Sequence, residues 1–216
     1  MEFADLAVLL ACNPHPVCRP FGAPSLRDSD FERGKTPMTK EEVRALVVAK
    51  LRIEPGNTVW DVGAGTGSVS VEMAQAACAG RVFAVEKSAE GLSLLERNRK
   101  ALGVSNLVLV PGPAPKVLAG LPAPDRVFIG GSTGSLTAIV QASVAANPNV
   151  RICLTAVTLE TLSDAISCLR ELGIEDADIV QISVARASQA GAYHLMKAEN
   201  PVYIVTFGGS ADGEGA

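Results

Sequence analysis

Asp61-Val62-Gly63-Ala64-Gly65-Thr66-Gly67 is the stretch on which the reading of this chain turns. The residues before it form a short β-branched apolar run, and those after it carry a helical pattern, so the glycines occupy a strand-to-helix turn. Three glycines on alternate positions allow a tight turn and let a ligand come close to the main chain. The helix that follows offers unbonded N–H groups and positive potential to a polar or anionic group. Glu86 ends the next predicted strand, 19 residues past Gly67. A carboxylate at that spacing can accept from both hydroxyls of a ribose.

Outward from the turn, short apolar runs alternate with helical patterns. Thr39-Lys40-Glu41-Glu42 reads as a capping box. It opens a helix with Val43, Leu46, Val47 and Leu51 on one face. Strands are predicted at 58–62, 81–86, 107–110, 126–129, 150–156, 179–185 and 202–207. Helices are predicted at 70–78, 89–102, from about 135, and at 159–172. Regular alternation implies parallel strands joined by right-handed crossovers. The two closing strands have no helical pattern between them and read as an antiparallel hairpin at the sheet edge. The expected fold is therefore α/β and Rossmann-like, with a mostly parallel seven-stranded sheet and a C-terminal antiparallel hairpin, the arrangement of class I methyltransferases. A dinucleotide fingerprint requires glycine where this chain has Ser68. Gly63-x-Gly65-x-Gly67 fits the S-adenosylmethionine (SAM) version of the turn instead.

Of 216 residues, 48% are hydrophobic and 19% charged, which excludes a disordered or fibrous chain and leads us to expect one domain. A net charge of −4 argues against nucleic acid as the main ligand. Five cysteines without a CxxC pair argue against a zinc site or disulfide framework, and Cys153 and Cys168 read as buried apolar residues. No apolar run reaches the ~18 residues that a membrane span needs. Leu9-Leu10-Ala11-Cys12 has acidic residues before it and no Lys or Arg, so no signal peptide and a cytoplasmic location are expected. Residues 12–37, with five prolines, read as a linker, and residues 210–216 as a disordered tail.

Several motifs resemble the precorrin and cobalt-precorrin C15-methyltransferases (decarboxylating) of cobalamin biosynthesis. They are Pro37-Met38-Thr39-Lys40-Glu41-Glu42-Val43-Arg44-Ala45-Leu46, Trp60 to Ser68, Pro124 to Ser132, Ala156 to Thr161, and Asn200-Pro201-Val202-Tyr203-Ile204. The two blocks at 125–132 and 156–161 are the most specific. Phe21-Gly22 and Asp30-Phe31 resemble the joint between the halves of the fused C5,15-methylating enzyme. On that basis residues 1–35 form a tail or a remnant of an upstream domain, and residues 36–209 the methyltransferase domain. The resemblance implies SAM as cofactor, held by Thr39, Gly63, Ala64, Gly65, Thr66, Gly67, Glu86 and Ala114. Asp61 would orient the loop or the ligand's amino group, or simply cap the helix. Where the family usually reads Gly-Asp-Ala-Pro, this chain has Gly112-Pro113-Ala114-Pro115, so the side chain that would sit near adenine is absent.

The implied substrate is a reduced tetrapyrrole, precorrin-6B or cobalt-precorrin-6B, methylated at C15 with loss of the C12 acetate carboxyl. No metal is expected in the reaction, and no partner in nucleic acid or membrane. A homotetramer is implied, with the terminal hairpin as its interface. Lys35, Lys40, Arg44, Arg186 and Lys197 are candidate cations for substrate carboxylates, as are the N–H groups of Gly130 to Gly134. Tyr193 and His194 are candidate proton-handling groups. The alternatives are a methyltransferase of the same fold acting on tRNA or protein, an NAD-dependent oxidoreductase, and a SAM-binding module without catalysis.

Overall fold

The computed structural model describes residues 25–209. The expectations for the stretch Leu9-Leu10-Ala11-Cys12, the segment at Phe21-Gly22 and the tail at 210–216 lie outside the described residues. The elements are α1 (Glu41–Leu51), β1 (Thr58–Val62), α2 (Ser68–Ala76), β2 (Arg81–Glu86), α3 (Ala89–Ala101), β3 (Leu107–Pro111), β4 (Arg126–Ile129), α4 (Leu136–Ala146), β5 (Arg151–Ala156), α5 (Leu159–Glu171), β6 (Asp178–Ile182), β7 (Ala185–Ala190), β8 (Tyr193–Ala198) and β9 (Val202–Gly208).

Seven strands form one sheet in the order β3-β2-β1-β4-β5-β9-β6. The pairs among β1 to β5 are parallel. Strand β9 runs antiparallel to both neighbours. The closing pair is thus antiparallel, as the missing helix predicts, but β9 is inserted between β5 and β6, and β6 takes the edge. The connection between them carries a separate two-stranded ribbon, β7–β8, which the sequence reading did not separate from a loop. Every residue of the ribbon strands is exposed, including Tyr193, Leu195 and Met196.

Side chains alternate across the strands and fill two layers. Val43, Val47 and Leu51 of α1 pack with Val69 and Met73 of α2 and Leu95 of α3 against Val59, Val82, Phe128 and Ile204. On the opposite face Leu136, Ile139 and Val140 of α4 and Ala165, Cys168 and Leu169 of α5 cover Trp60, Val127, Ile152 and Phe207. Burying each such side chain contributes roughly 1.5–3 kcal/mol. Cys153 and Cys168 are buried in these layers, and burial pushes the Cys153 thiol up to about 12. Among the described residues no helix is long and apolar enough to cross a membrane.

Two expectations give way. Residues 25–37 are more than a linker: Leu26 and Phe31 are buried in the first core layer. The anchor is Arg44, which has no exposed surface. Its guanidinium donates to Glu72 at 2.8 Å, Asp28 at 2.7 Å, the Thr39 carbonyl at 2.6 Å and the Leu26 carbonyl at 2.5 Å. Its Cζ lies 4.8 Å from the Phe31 ring centroid. The capping box does not form either. Lys40, not Thr39, is the N-cap of α1, and no side chain caps it. The carbonyl of Thr39 is taken by Arg44, and Glu42 turns outward to Arg186 at 2.5 Å. Tertiary partners here outweigh a local cap that contributes only ~1 kcal/mol.

Arg44→Ala strands the carboxylate of Glu72, which is 4% exposed. Breaking a buried ion pair from one side costs about 3–5 kcal/mol. Thermal unfolding followed by circular dichroism should show Tm falling by about 10 °C for a chain of this length. A change under 2 °C would mean that the strap at residues 25–40 holds by its apolar contacts alone.

Candidate functional site

The strand order reverses direction between β1 and β4, and ligands of open α/β sheets bind outside the carboxyl ends of strands at such a switch point. The glycine turn lies there. Gly63 has φ +79°, and a Cβ on it would stand 2.7 Å from the Gly131 backbone, so the loops after β1 and β4 touch main chain to main chain. Gly67 ends the turn as the N-cap of α2, with Ser68 the first helical residue. Gly63 and Ala64 both donate to the Val85 carbonyl, at 3.0 and 3.1 Å. Glu86 clamps the turn: its carboxylate accepts from Gly65 N–H at 2.9 Å and from Ser88 N–H at 2.7 Å.

Three cavities meet at Gly130. The first, about 360 Å³, is lined by Thr39, Gly63, Ala64, Gly65 and Thr66, by the apolar Met38, Val43, Phe128, Ile182, Val184 and Val202, and by Lys40, Glu199 and Asn200. The second, about 400 Å³, is lined by Gly63, Gly65, Glu86, Lys87, Pro113 and Ala114, with Thr36, Ser132, Thr133 and Ser135. Lys87 donates to Thr133 at 3.2 Å between the segments after β2 and β4. The third, about 290 Å³, is rich in hydroxyls, from Ser132, Thr133, Thr155, Thr158 and Thr161, and includes Asp164.

Seven of the nine candidate site residues line the first two cavities. Gly67 and Asp61 do not. Asp61 is fully buried behind the turn, where the Ser70 hydroxyl of α2 donates to it. Its second oxygen, Oδ1, has no hydrogen-bond partner among the described residues, and neither does the buried hydroxyl of Thr66. Burial is the main cause that raises the Asp61 carboxyl from 3.8 to about 7, and the negative charge of Glu86 adds to it. Sequence reasoning missed Thr36, Pro37, Met38 and the hydroxyls of the third cavity. The strap brings Thr36 and Pro37 to the turn from a stretch that reads as a linker, and Met38 follows directly after it.

Among the candidate cations, Lys40 lines the first cavity. Arg44 lines none of the three cavities, and its guanidinium is engaged in the core. Arg186 pairs with Glu42. Lys35, Lys197, Tyr193 and His194 line none of the three cavities, and the last three stand on the exposed ribbon strand β8.

The sequence matches the family model described as "Precorrin methyltransferase domain" over residues 30–207. It is 47% identical over 190 residues to a protein of Pyrobaculum calidifontis named probable cobalt-precorrin-6B C(15)-methyltransferase (decarboxylating), covering 87% of this chain and 97% of that one. It is 38% identical over 182 residues to the cobalt-precorrin-6B C(15)-methyltransferase (decarboxylating) of Salmonella typhimurium, covering 83% and 94%. The crystal structure of precorrin-6y C5,15-methyltransferase from Geobacter metallireducens superposes with a TM-score of 0.79 at 37% identity, covering 89% of this chain and 98% of that one.

The position of Asp61 generates a pH signature. Its carboxyl holds a proton more tightly folded than unfolded, so its contribution favours the fold at low pH and is lost as pH rises from about 4 to about 7. Asp61→Asn removes that loss. In urea titrations the variant should gain on the wild type as pH is raised through this window. A difference that stays constant from pH 4 to pH 7 would show that Asp61 is already ionised in the folded chain.

Proposed function

Because the chain belongs to the precorrin methyltransferase family, we propose that it transfers the methyl group of SAM to C15 of precorrin-6B or its cobalt form and releases the C12 acetate carboxyl as CO2. The observation that carries this reading is the meeting of the three cavities at Gly130, on the loop that touches the glycine turn, with the first two lined by the turn itself. SAM would supply an electrophilic methyl group on sulfur. The turn suits it: two main chains approach there without side chains between them, beside a space of ligand size that Thr66 helps to line. Gly63 to Thr66 would hold the methionine part, Thr39 the open side of the first cavity, and Glu86 the ribose hydroxyls. Gly67 and Asp61 would act from behind, by shaping the turn. Ala114 would lie along adenine, with backbone groups in place of the acidic side chain that Pro113 lacks.

Methyl transfer to an electron-rich ring carbon is chiefly a matter of position. The apolar wall of Met38, Val43, Phe128 and Val202 would exclude water from a flat macrocycle. The hydroxyls of the third cavity and the N–H groups of Gly130 to Gly134 would take a carboxylate arm. When the acetate loses CO2, the electrons of the broken C–C bond enter the conjugated macrocycle, and a proton then completes the methyl group left at C12.

A homotetramer belongs to the same proposal. An isolated two-stranded ribbon is marginal in water, and β7–β8 exposes Tyr193, Leu195 and Met196. Light scattering at micromolar concentration should give a species larger than the monomer, and a strictly monomeric chain would refute assembly.

The test of function has two stages. Calorimetry with S-adenosylhomocysteine should detect binding, and Glu86→Gln should weaken it about tenfold, as expected for loss of a charge-assisted contact. Mass spectrometry of the tetrapyrrole product should then show one methyl gained and one carboxyl lost. A methyl gained with the acetate retained would remove the decarboxylating role. Firm cofactor binding with no reaction on any tetrapyrrole would point to another substrate.

A further inference from the structure

Asn98 lines no cavity described above, yet one of its partners, Thr66, lines the first cavity and the other, Glu32, belongs to the strap that leads to the second. It lies on α3 and is 1% exposed. Its Oδ1 accepts from Glu32 N–H at 2.7 Å, and its Nδ2 donates to the Glu32 carbonyl at 3.1 Å and to the Thr66 carbonyl at 2.9 Å. Both amide hydrogens and the amide oxygen are therefore used. Thr66 is part of the glycine turn. Glu32 is part of the strap, whose Thr36 and Pro37 line the second cavity four and five residues later. The strap lies against the turn: a Cβ on Gly65 would stand 3.4 Å from Thr36 Cγ2 and 3.5 Å from the Pro37 carbonyl. Between the two anchor points Lys35 N–H is tied to Glu90, also on α3, at 2.9 Å.

We infer that Asn98 is a positioning residue for the cofactor: one buried amide sets the spacing between the strap and the glycine turn, and so the width of the slot that they enclose. No other side chain offers this combination at this length. Asp lacks the two donors, Leu lacks all three groups, and Gln is one methylene longer in a site with no spare room. The consequence is coupling. A ligand that fixes the turn also fixes the strap, because the same amide holds both. The inference rests on the cofactor reading proposed above.

The experiment compares Asn98→Ala with Glu32→Ala, whose lost side chain is an exposed partner of Arg97 and leaves both backbone bonds intact. S-adenosylhomocysteine affinity is measured by calorimetry on protein whose fold is checked by circular dichroism. Asn98→Ala should bind about tenfold more weakly, and Glu32→Ala within about twofold of wild type. Hydrogen exchange supplies a readout that a purely structural role would not move. In the wild type the ligand should slow exchange at the strap, 32–37, together with the turn, 63–67, whereas in Asn98→Ala it should slow the turn alone. Should Asn98→Ala not fold, Glu32→Pro removes the strap N–H that Asn98 accepts, together with the side chain whose loss Glu32→Ala controls for. The preceding Phe31 is extended, with φ −104° and ψ 137°, as a residue before proline must be. It should weaken binding in the same direction. A folded Asn98→Ala or Glu32→Pro that binds like wild type overturns the inference, as does a wild-type strap whose exchange ignores the ligand. A wild-type chain that does not bind the ligand at all overturns the cofactor reading first.

Discussion

A guanidinium with no exposed surface sits at the point where three segments meet. Removing such a charge from water is costly unless every donor finds an acceptor. Arg44 finds them in the strap at Asp28 and Leu26, at the entry to its own helix at Thr39, and on α2 at Glu72. Glu72 in turn accepts from Ser25 and from Leu26 N–H. The charge is satisfied only when strap, α1 and α2 are all in place. The walls of both larger cavities inherit that condition, since Thr36 to Lys40 lie between the strap's anchors and α1.

What could be read from the sequence was local. The glycine turn, Glu86 and the alternation of strands and helices depend on neighbours a few residues away, and the structure keeps them within two or three residues of the expected bounds. The strap depends on partners far along the chain. Leu26 and Phe31 stand among arginines, aspartates and prolines, and nothing nearby marks them as core. Arg44 carried a signal that was outweighed by its charge: it shares the helical stripe of Val47 and Leu51, three and seven residues on, and that stripe is buried. Strand β7 is made of small and polar residues and β8 holds no β-branched residue, so the ribbon lacks the apolar β-branched runs that mark the other strands.

The site divides labour by polarity. The first cavity has the most apolar lining side chains, the second is lined by Glu86 and hydroxyls, and the third by hydroxyls and Asp164. Gly130 is common to all three, and Phe128 beside it turns to the first core layer. A junction without a side chain lets three chemically different spaces communicate over a few ångströms. Behind them Asp61 keeps a carboxyl in the core against a helix that begins at the turn, which ties the protonation of a buried group to the shape of a surface loop.

The insertion of β9 between β5 and β6 has a consequence for the order in which the molecule is made. Strands β1 to β5 pair with one another and can assemble as they leave the ribosome. Strand β6 has a single partner, β9, and β5 keeps one edge open until that same strand arrives. Between the emergence of residue 178 and that of residue 208 the nascent chain therefore leaves unpaired the edges of β5 and β6 that β9 will join, a state open to pairing with a neighbour. Of the described strands, the one synthesised last is the one that closes this gap.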